Sequence, residues 1–518
     1  MEQNGYLTAS DIDALIFDLD GVITQTRRVH KKAWKALFDG FLKSKGKDDS
    51  MTDRDYDDYV DGKPRYEGVR SFLKSRGVEL PFGDTGDEPG YDTVCALGNK
   101  KNELFHDVIG EDGVDLYEPA VEKLKQWRAA GVKTAIVSSS KNCKFIIEQA
   151  VIDHLFDVRV DGMVSEERGL KGKPNPDIFL EAASELGARP ERCIVFEDAI
   201  SGVKAGQEGF FGLVVGVARF DNKDELLKHG ADICIENFEA FDLFRSEEIA
   251  GYFQFTKPMV FSEDARVFEL LSEKKPVFFL DYDGTLTPIV QRPEDAAISD
   301  EMRETLSELG RHFTVAVVTG RDKEDVMDFI RLDHLIYSGS HGYITSGPDG
   351  LFMEHEQSEE IIKKLDAVEE DLEKMLEGKA EGAQIDRKRY AIALHYRNAA
   401  EEDVPDVFEV VDRILEKYDS LKTGEGKMVV EIKPDIDWHK GKAVLWILEA
   451  LGLDKKPDLL PVFIGDDVTD EDAFIAIKDI GIGILVENKG QDTAAAYSLK
   501  NVFQVRKFFE QLIRLYGE

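Results

Sequence analysis

Two short stretches of the sequence place a pair of aspartates directly after an apolar run. Residues 15–24 read LIFDLDGVIT, with Asp18 and Asp20, and residues 278–288 read FFLDYDGTLTP, with Asp281 and Asp283. In a doubly wound sheet, ligands bind outside the carboxyl ends of the strands, so these carboxylates are predicted to lie at a catalytic edge. Two nearby carboxylates repel each other unless a cation lies between them, and oxygen-ligated Mg²⁺ suits such a pair.

Each aspartate pair is followed, in the same order, by a hydroxyl residue, a lysine and a second acidic pair. The first half has Ser138 in SSS, Lys173 in GKP, and Glu197 with Asp198; the second half has Thr319 in TGR, Lys440 in HKGK, and Asp466 with Asp467 in GDD. A single DxDG stretch resembles a calcium loop, but the EF-hand pattern needs further spaced acidic residues and a closing glutamate, and neither copy has them. The ordered repetition of the whole set therefore predicts two catalytic sites.

The residue types predict phosphoryl transfer through a covalent intermediate. Asp281 would attack phosphorus, and Asp283 would protonate the leaving alcohol and then deprotonate the attacking water. Thr319 would bind a phosphoryl oxygen, and Lys440 would neutralise the nucleophile and the phosphate oxygens. Mg²⁺ bound by Asp281, Asp466 and the backbone carbonyl of Asp283 would offset the charge of the transition state.

The first half offers the same roles. Asp18 is the predicted nucleophile, Asp20 is the predicted acid and base, and Ser138 and Lys173 are the predicted phosphate ligands. The predicted Mg²⁺ ligands are Asp18, Asp20, Glu197 and Asp198.

Short apolar runs must position these residues. The runs ALIF (14–17), TAIV (134–137), CIVF (193–196), VFFL (277–280), VAVV (315–318) and VFI (462–464) do not alternate with polar residues, which is typical of strands buried on both faces. Helical patterns lie between them, for example Val29, Ala33, Trp34, Leu37 and Phe41. Strand–helix alternation predicts an α/β protein with two doubly wound parallel sheets.

The motif spacing indicates an insertion of about 80 residues in a different place in each half. We predict a domain at 1–245 with a helical cap at about 30–110, a linker at 246–270, and a domain at 271–518 with a cap at about 340–435. The second cap is predicted to be α+β, because YAIALHYR (390–397) and KMVVEIKP (427–434) read as strands, whereas apolar stripes at 361–375 and 404–415 read as helices.

Composition narrows the classes of partner. The chain has 66 basic and 103 acidic residues, a formal charge of −37, which argues against nucleic-acid binding. We find no signal-peptide pattern and no apolar run near the ~18 residues of a membrane span, so no membrane partner and a cytoplasmic location are expected. None of the four cysteines forms a CxxC pair, which predicts reduced thiols.

The second half resembles the trehalose-6-phosphate phosphatase family of the haloacid dehalogenase superfamily. The matching stretches, within about 277–474, are LDYDGTLTPI, VVTGRD, GSHG, ALHYR, GKMVVEIKP, WHKGKA and IGDDVTDEDAF. The resemblance implies hydrolysis of trehalose 6-phosphate, a small-molecule sugar phosphate. It also implies that Arg321, His341, Arg397, Lys427 and Glu431 lie near that substrate. The alternatives are a phosphatase for another sugar phosphate and a regulatory binding protein with inactive sites.

The first half resembles the β-phosphoglucomutase-like hydrolases of the same superfamily. The resemblance is carried by FDLDGVIT, His30, SSS, GKPNPDIF and FEDAISGVKAG; it is close in the core and loose in the cap, and Gln25 stands where an aspartate is common. A mutase must bind a bisphosphate intermediate, so its cap needs a cation for the distant phosphate. Lys63, Arg65 and Arg70 are the candidates. A mutase, a simple phosphatase and a structural or regulatory role are the alternatives for this half.

Overall fold

The computed structural model describes residues 6–517 except 61, 62, 64, 220, 254, 255, 263, 264, 291, 357, 401, 427, 488 and 489. The chain forms two compact units, a first unit at Met1–Phe253 and a second unit at Gln254–Glu518. Each is an α/β core with its own cap, as the sequence predicts. Among the described helices, none has the length and apolar character that crossing a membrane requires.

The first unit is built on a six-stranded parallel sheet in the order β3-β2-β1-β4-β5-β6. Its strands are β1 (Ala14–Asp18), β2 (Lys133–Val137), β3 (Val158–Val160), β4 (Cys193–Glu197), β5 (Leu213–Val217) and β6 (Ile233–Ile235). Every residue of β1, β4 and β5 is buried, which explains their unbroken apolar runs. The core helices are α5 (Glu118–Ala129), α6 (Cys143–Gln149), α7 (Gly162–Arg168), α8 (Asp177–Leu186), α9 (Ile200–Glu208), α10 (Lys223–Lys228) and α11 (Glu247–Gly251).

The cap of the first unit is helical, which confirms the prediction. It consists of α1 (Arg27–Ser44), α2 (Asp53–Tyr59), α3 (Arg65–Ser75) and α4 (Val94–Asp112). Aromatic side chains fill its interior, and the rings of Phe38 and Phe72 stack with centroids 3.8 Å apart. The chain enters and leaves the cap side by side, since Gln25 N–H donates to the Asp115 carbonyl at 2.9 Å.

The second unit has an eight-stranded sheet in the order β11-β10-β9-β8-β7-β16-β17-β18. The parallel strands are β7 (Lys275–Leu280), β8 (Thr314–Val318), β9 (Ile336–Gly339), β16 (Leu459–Gly465), β17 (Ile482–Val486) and β18 (Tyr497–Leu499). Two short strands, β10 (Ile344–Ser346) and β11 (Phe352–Glu354), extend one edge in antiparallel fashion. The core helices are α12 (Val267–Glu273), α13 (Asp300–His312), α14 (Lys323–Ile330), α17 (Lys440–Ala450), α18 (Glu471–Ile477) and α19 (Val502–Gly517).

The cap of the second unit is α+β, again as predicted. A four-stranded antiparallel sheet has the order β12-β13-β15-β14, with β12 at Gln384–Lys388, β13 at Ala391–His395, β14 at Leu421–Gly426 and β15 at Val429–Pro434. Helices α15 (Ser358–Leu376) and α16 (Val404–Lys417) belong to the same apolar cluster as buried residues of this sheet.

Both cores place the predicted nucleophile in the same way. Strand β1 lies between β2 and β4, and β7 lies between β8 and β16. Each nucleophile therefore stands at the carboxyl end of a central strand, beside the neighbouring strand ends that carry Ser138 and Glu197 or Thr319 and Gly465.

Candidate active sites

The predicted nucleophile of the second unit, Asp281, directly follows β7 and is buried. Its backbone N–H donates to the Ile464 carbonyl at 2.9 Å, which ties it to β16. Lys440, the first residue of α17, is also buried, and its Nζ donates to Asp281 Oδ1 and to Asp470 Oδ1, each at 2.7 Å. Burial disfavours the ammonium, but these two carboxylates outweigh that effect and raise the pKa of Lys440.

Three carboxylates converge beside this lysine. Asp281, Asp466 and Asp470 each offer an oxygen, and the three oxygens lie within 4.8 Å of one another. Burial, together with repulsion from the neighbouring acids, raises the pKa of Asp281 to about 7 and of Asp466 to about 8. Clustered acidic oxygens are the donors that hard divalent cations prefer, so the set could hold a metal ion.

Asp470 was not among the predicted site residues. It ends a 3₁₀ turn (Val468–Asp470), and its Oδ2 accepts the N–H of Asp467 at 3.0 Å. Asp467, by contrast, is exposed. The signal in the sequence was an acidic residue three positions after Asp467, in the arrangement of a capping box.

The predicted acid and base, Asp283, lies apart from the three-carboxylate set. Arg321 donates to both of its oxygens, from Nε at 2.6 Å and from Nη2 at 2.7 Å. Thr319 is buried at the end of β8, and its Oγ1 accepts the N–H of Arg321 at 3.2 Å. The structure thus brings Asp283, Thr319 and Arg321 together, whereas the predicted role of the Asp283 carbonyl in metal binding stays a prediction.

Two of the predicted substrate residues, His341 and Glu431, line one small cavity between the core and the cap. The cavity has a volume of about 20 Å³ and is also lined by Lys388 and Lys433. Lys388 Nζ donates to Glu431 Oε1 at 3.3 Å, and Lys433 Nζ lies 3.5 Å from Glu431 Oε2. Burial and then Lys440 lower the pKa of His341 to about 3, so its imidazole is neutral.

Sequence reasoning missed the two lysines of this cavity. Lys433 lies two residues after Glu431 in β15, so the period of a strand already places both side chains on one face. The proximity of Lys388, at the end of β12, depends on the pairing of the cap strands. Of the remaining predictions, Arg397 is exposed in the turn after β13 and does not line the cavity, and Lys427 lies outside the described residues.

The first unit repeats the pairing of the predicted nucleophile with a lysine. Lys173 Nζ donates to Asp18 Oδ1 at 2.5 Å and also to Glu197 Oε1. Asp18, Glu197 and Asp198 offer oxygens within 4.8 Å of one another, so this set too could hold a metal ion. Burial raises the pKa of Asp18, and burial together with Glu197 raises the pKa of Asp198 to about 7.

Asp20 is held by hydroxyl groups. It accepts hydrogen bonds from Thr26 Oγ1 and, at 3.3 Å, from Thr24 Oγ1, and burial raises its pKa. Its side chain is not part of the carboxylate set around Asp18. Ser138 is buried after β2, and its Oγ accepts the N–H of Ser140 at 3.1 Å.

Of the three candidate cap cations, Arg65 contacts the residues between cap and core. Its Nη2 donates to Asn102 Oδ1 at 3.0 Å, and the same oxygen accepts from Asn142 Nδ2 of the core at 2.8 Å. Lys63 and Arg70 instead contact cap residues, through hydrogen bonds to Ser71 and Glu67.

A second cap cation, Lys101, was missed. It is buried, and its Nζ lies 2.7 Å from His30 Nδ1. Burial and then Arg65 lower the pKa of Lys101 to about 7, and burial and Lys101 lower the pKa of His30. The sequence showed Lys101 only as one of two adjacent lysines in α4, and nothing in the pattern set it apart from Lys100.

In comparisons with known proteins, two family models match different parts of the chain. The trehalose-phosphatase family model matches residues 279–502, and the haloacid dehalogenase-like hydrolase model matches residues 12–209. An uncharacterised glycosyl hydrolase of Mycobacterium tuberculosis is 36% identical over 512 residues, covering 96% of this chain, and the chain spans only 38% of that protein. A solved β-phosphoglucomutase from Clostridium difficile is 25% identical, covering 47% of this chain and 97% of its own, with a TM-score of 0.37.

A trehalose-phosphate phosphatase of Mycobacterium leprae matches over nearly its whole length. It is 33% identical over 412 residues, which cover 77% of this chain and 92% of that protein. The family model for this activity falls on the part of the chain that contains Asp281, Lys440 and Asp466. The chain therefore belongs to the trehalose-phosphate phosphatase family.

Proposed function

We propose that the second unit hydrolyses trehalose 6-phosphate to trehalose and phosphate through an aspartyl-phosphate at Asp281. The observation that carries this proposal is the buried Asp281–Lys440–Asp470 arrangement at the carboxyl end of β7. The Lys440 ammonium favours the charged form of Asp281 against the burial that raises its pKa, and the carboxylate can attack phosphorus once the substrate's phosphoryl group lies against it.

In the first step, the bond between phosphorus and the sugar 6-oxygen breaks as Asp281 bonds to phosphorus, and Asp283 gives a proton to the departing oxygen. In the second step, Asp283 takes a proton from water, the water oxygen bonds to phosphorus, and the bond to Asp281 breaks. Thr319 and Lys440 bind phosphoryl oxygens, and Arg321 holds Asp283 in place.

Asp281, Asp466 and Asp470 fit Mg²⁺, because all three supply acidic oxygens within a small radius. When bound there, Mg²⁺ supplies positive charge against the phosphoryl oxygens.

The side chains that line the cavity between core and cap are the proposed sugar ligands. At about 20 Å³ the cavity as it stands holds about one water molecule, so the cap has to open to admit a disaccharide. Glu431 and Lys388 offer a charged acceptor and a charged donor, which suit the hydroxyl groups of a disaccharide. The cap over this region would also exclude water during phosphoryl transfer. Arg397 and Lys427 are proposed to contact the same substrate.

A panel of phosphate esters tests this function. The full chain carrying Asp18→Asn, which silences the first site, is assayed for phosphate release from trehalose 6-phosphate, other sugar phosphates and p-nitrophenyl phosphate. We expect the highest kcat/KM for trehalose 6-phosphate, and we expect Lys427→Ala with Glu431→Ala to reduce it far more than that for p-nitrophenyl phosphate. Equal losses on both esters would remove the pair from substrate selection.

The alternatives give different results in the same assay. A higher kcat/KM on another sugar phosphate would identify a phosphatase for that sugar. Absence of phosphate release, unchanged by Asp281→Asn, would support a binding protein with inactive sites.

For the first unit we propose β-phosphoglucomutase activity as a second function. The observation that favours it is a pair of basic cap residues: Arg65, which donates to Asn102 beside Asn142 of the core, and the buried Lys101, which lies against His30. Together they can bind a second phosphate. A phosphatase for a monophosphate does not need such a group.

The deciding assay uses the full chain with Asp281→Asn. It supplies β-glucose 1-phosphate with a trace of the 1,6-bisphosphate and follows glucose 6-phosphate, which we expect to form. Free phosphate without isomerised product would indicate a simple phosphatase. If no product forms, and if adding Asp18→Asn changes nothing, the result would indicate a structural or regulatory role for the first unit.

A further inference from the structure

Asp322 occupies the residue before α14 but does not cap that helix. An aspartate in this position commonly accepts a backbone N–H from the first helical turn, and here the side chain makes no such bond. Its Oδ1 instead accepts the hydroxyl of Ser340 at 2.8 Å, and its Oδ2 accepts the N–H of Arg389 at 3.0 Å. One carboxylate thus joins three segments of the second unit: the loop after β8, the turn after β9 and the β12–β13 turn of the cap.

The turn after β9 has an unusual backbone. Ser340 and His341 have φ values of 50° and 55°, in the left-handed region, which is unfavourable for residues other than glycine. Such a conformation persists only where its surroundings fix it. Here Ser340 N–H donates to the Arg321 carbonyl at 2.7 Å, and His341 N–H donates to the Thr319 carbonyl at 2.8 Å. The turn is therefore fixed to the loop after β8 that contains Thr319 and Arg321, the proposed phosphoryl-binding loop.

On the cap side, Asp322 contacts the residue next to Lys388. Arg389 and Tyr390 form the turn between β12 and β13, and both side chains donate to Glu354, at 2.8 Å and 2.6 Å. Lys388 itself lines the cavity with His341 and Glu431. The Asp322 carboxylate is therefore attached to the loop that binds the phosphoryl group and to the strand end that faces the sugar.

We propose that Asp322 is a positioning residue for substrate selection, which fixes the spacing between the phosphoryl-binding loop and the cap cavity. The inference rests on the proposed function, because it places the phosphoryl group at Thr319 and the sugar at His341, Lys388 and Glu431. Asp322 acts through Ser340 and Arg389 and touches no reacting atom. A small phosphate ester binds only at the loop, so its turnover does not depend on this spacing.

The test compares an extended with a small substrate. The full chain with Asp18→Asn is assayed with and without Asp322→Ala, on its preferred sugar phosphate and on p-nitrophenyl phosphate. We expect kcat/KM for the sugar phosphate to fall about 10- to 100-fold, mainly through KM, because misplacement by about 1 Å has effects of this size. For p-nitrophenyl phosphate the change should stay within about twofold.

Two further variants make the result specific. Asp322→Asn keeps one acceptor oxygen and nearly the same volume, so it should give a smaller loss, and it carries the test if the alanine variant does not fold. Asp328→Ala removes an exposed carboxylate from the same helix, α14, and is the matched control for charge.

Equal losses on both substrates, or an unchanged preference, would overturn the role of Asp322. Failure of the proposed function is a separate result, since it appears as a preference of the Asp322 form for a phosphate other than trehalose 6-phosphate. The comparison is then made with that preferred ester, and it still decides the role of Asp322.

Discussion

The two candidate sites of this chain place the same charges with different parts of the backbone. In the first unit, β4 ends in Glu197, beside Asp18, and Lys173 donates to both carboxylates. In the second unit, β16 ends in Gly465 at the corresponding place, and Lys440 donates to Asp281 and to Asp470. A Cβ at Gly465 would lie 2.3 Å from Asp470 Oδ2, so the missing side chain makes room for the aspartate.

The third carboxylate of each site is placed in the same way in both units. Asp198 and Asp466 each follow the last residue of the strand and pack against the glycine of the DxDG stretch. A Cβ at Gly21 would meet Asp198 at 1.8 Å, and one at Gly284 would meet Asp466 at 2.1 Å. Each site therefore contains one lysine and three carboxylates, and only one of these carboxylates, Glu197 in the first unit and Asp470 in the second, comes from a different segment.

The surroundings of the two predicted acid and base residues differ more. Asp20 is held by the hydroxyls of Thr24 and Thr26, whereas Asp283 is held by both donors of Arg321. A neutral hydroxyl leaves the carboxyl's charge uncompensated, and an arginine compensates it. The two aspartates therefore lie in different electrostatic surroundings, although their sequence motifs are alike.

The strongest test of the comparison removes one nucleophile at a time. Asp281→Asn should lower phosphate release from trehalose 6-phosphate by about 10⁴-fold or more, because it removes the group that bonds to phosphorus. Asp18→Asn should leave this reaction within about twofold, and initial rates with circular dichroism as a check of folding measure both. Turnover by folded Asp281→Asn at the rate of the Asp281 form would refute the assignment.

The next test addresses Gly465. Gly465→Ala should push Asp470 away from Lys440 and lower kcat/KM by about 10²–10³-fold, the usual loss when one charged group leaves a buried site. Added Mg²⁺ should restore part of the rate, which a titration of kcat/KM with Mg²⁺ measures. Gly517→Ala is the control, since a Cβ there meets nothing within 4 Å; an active Gly465→Ala chain would show that Asp470 is dispensable.

The strands and helices that could be predicted are those with a local pattern of apolar residues in the sequence. Unbroken apolar runs predicted the buried strands, and the two stripes at 361–375 and 404–415 predicted α15 and α16. The hairpin of β10 and β11 was not predicted, because three-residue strands carry too short a pattern.

In the candidate sites, the residues at the strand ends could be named directly from the sequence motifs. Asp470 and Lys388 were missed because tertiary packing brings them in: Asp470 depends on a glycine that leaves space, and Lys388 on the pairing of the cap strands.

A pH test uses His341, a partly buried histidine of the second unit. The pKa of His341 is about 3 in the folded protein, against 6.5 for a free imidazole. Between these values the unfolded chain binds a proton that the folded chain does not. The free energy of unfolding should therefore fall as pH drops below 6.5, by up to about 1.4 kcal/mol per pH unit from this group.

His341→Asn isolates this contribution, because asparagine tolerates the left-handed backbone. Urea unfolding at pH 6.5, 5.5 and 4.5 should show the variant losing less stability than the histidine form. His395→Asn, at a side chain that is 40% exposed, is the matched control. Parallel losses in the His341 form and its asparagine variant would contradict the prediction.

The smallest effect concerns backbone strain away from either site. Val151, after α6, has a φ of 56° and is 71% exposed. Its left-handed backbone is therefore strained, and burial of its side chain does not offset that strain. Relief of about 1–2 kcal/mol is partly offset by the greater freedom of glycine in the unfolded chain. Val151→Gly should therefore stabilise the first unit by about 0.5–1 kcal/mol, a rise of about 2 °C in its Tm.

Ser340 and His341 differ from Val151 in what their strained backbone holds in place. Those residues share the left-handed backbone but hold the cavity and the phosphoryl-binding loop together, so relieving their strain would disturb the site. Val151 has no such contacts with a site, and calorimetry of the full chain should show Val151→Gly stabilised with both activities unchanged. A lower Tm for Val151→Gly would mean that the valine side chain contributes more than its backbone costs.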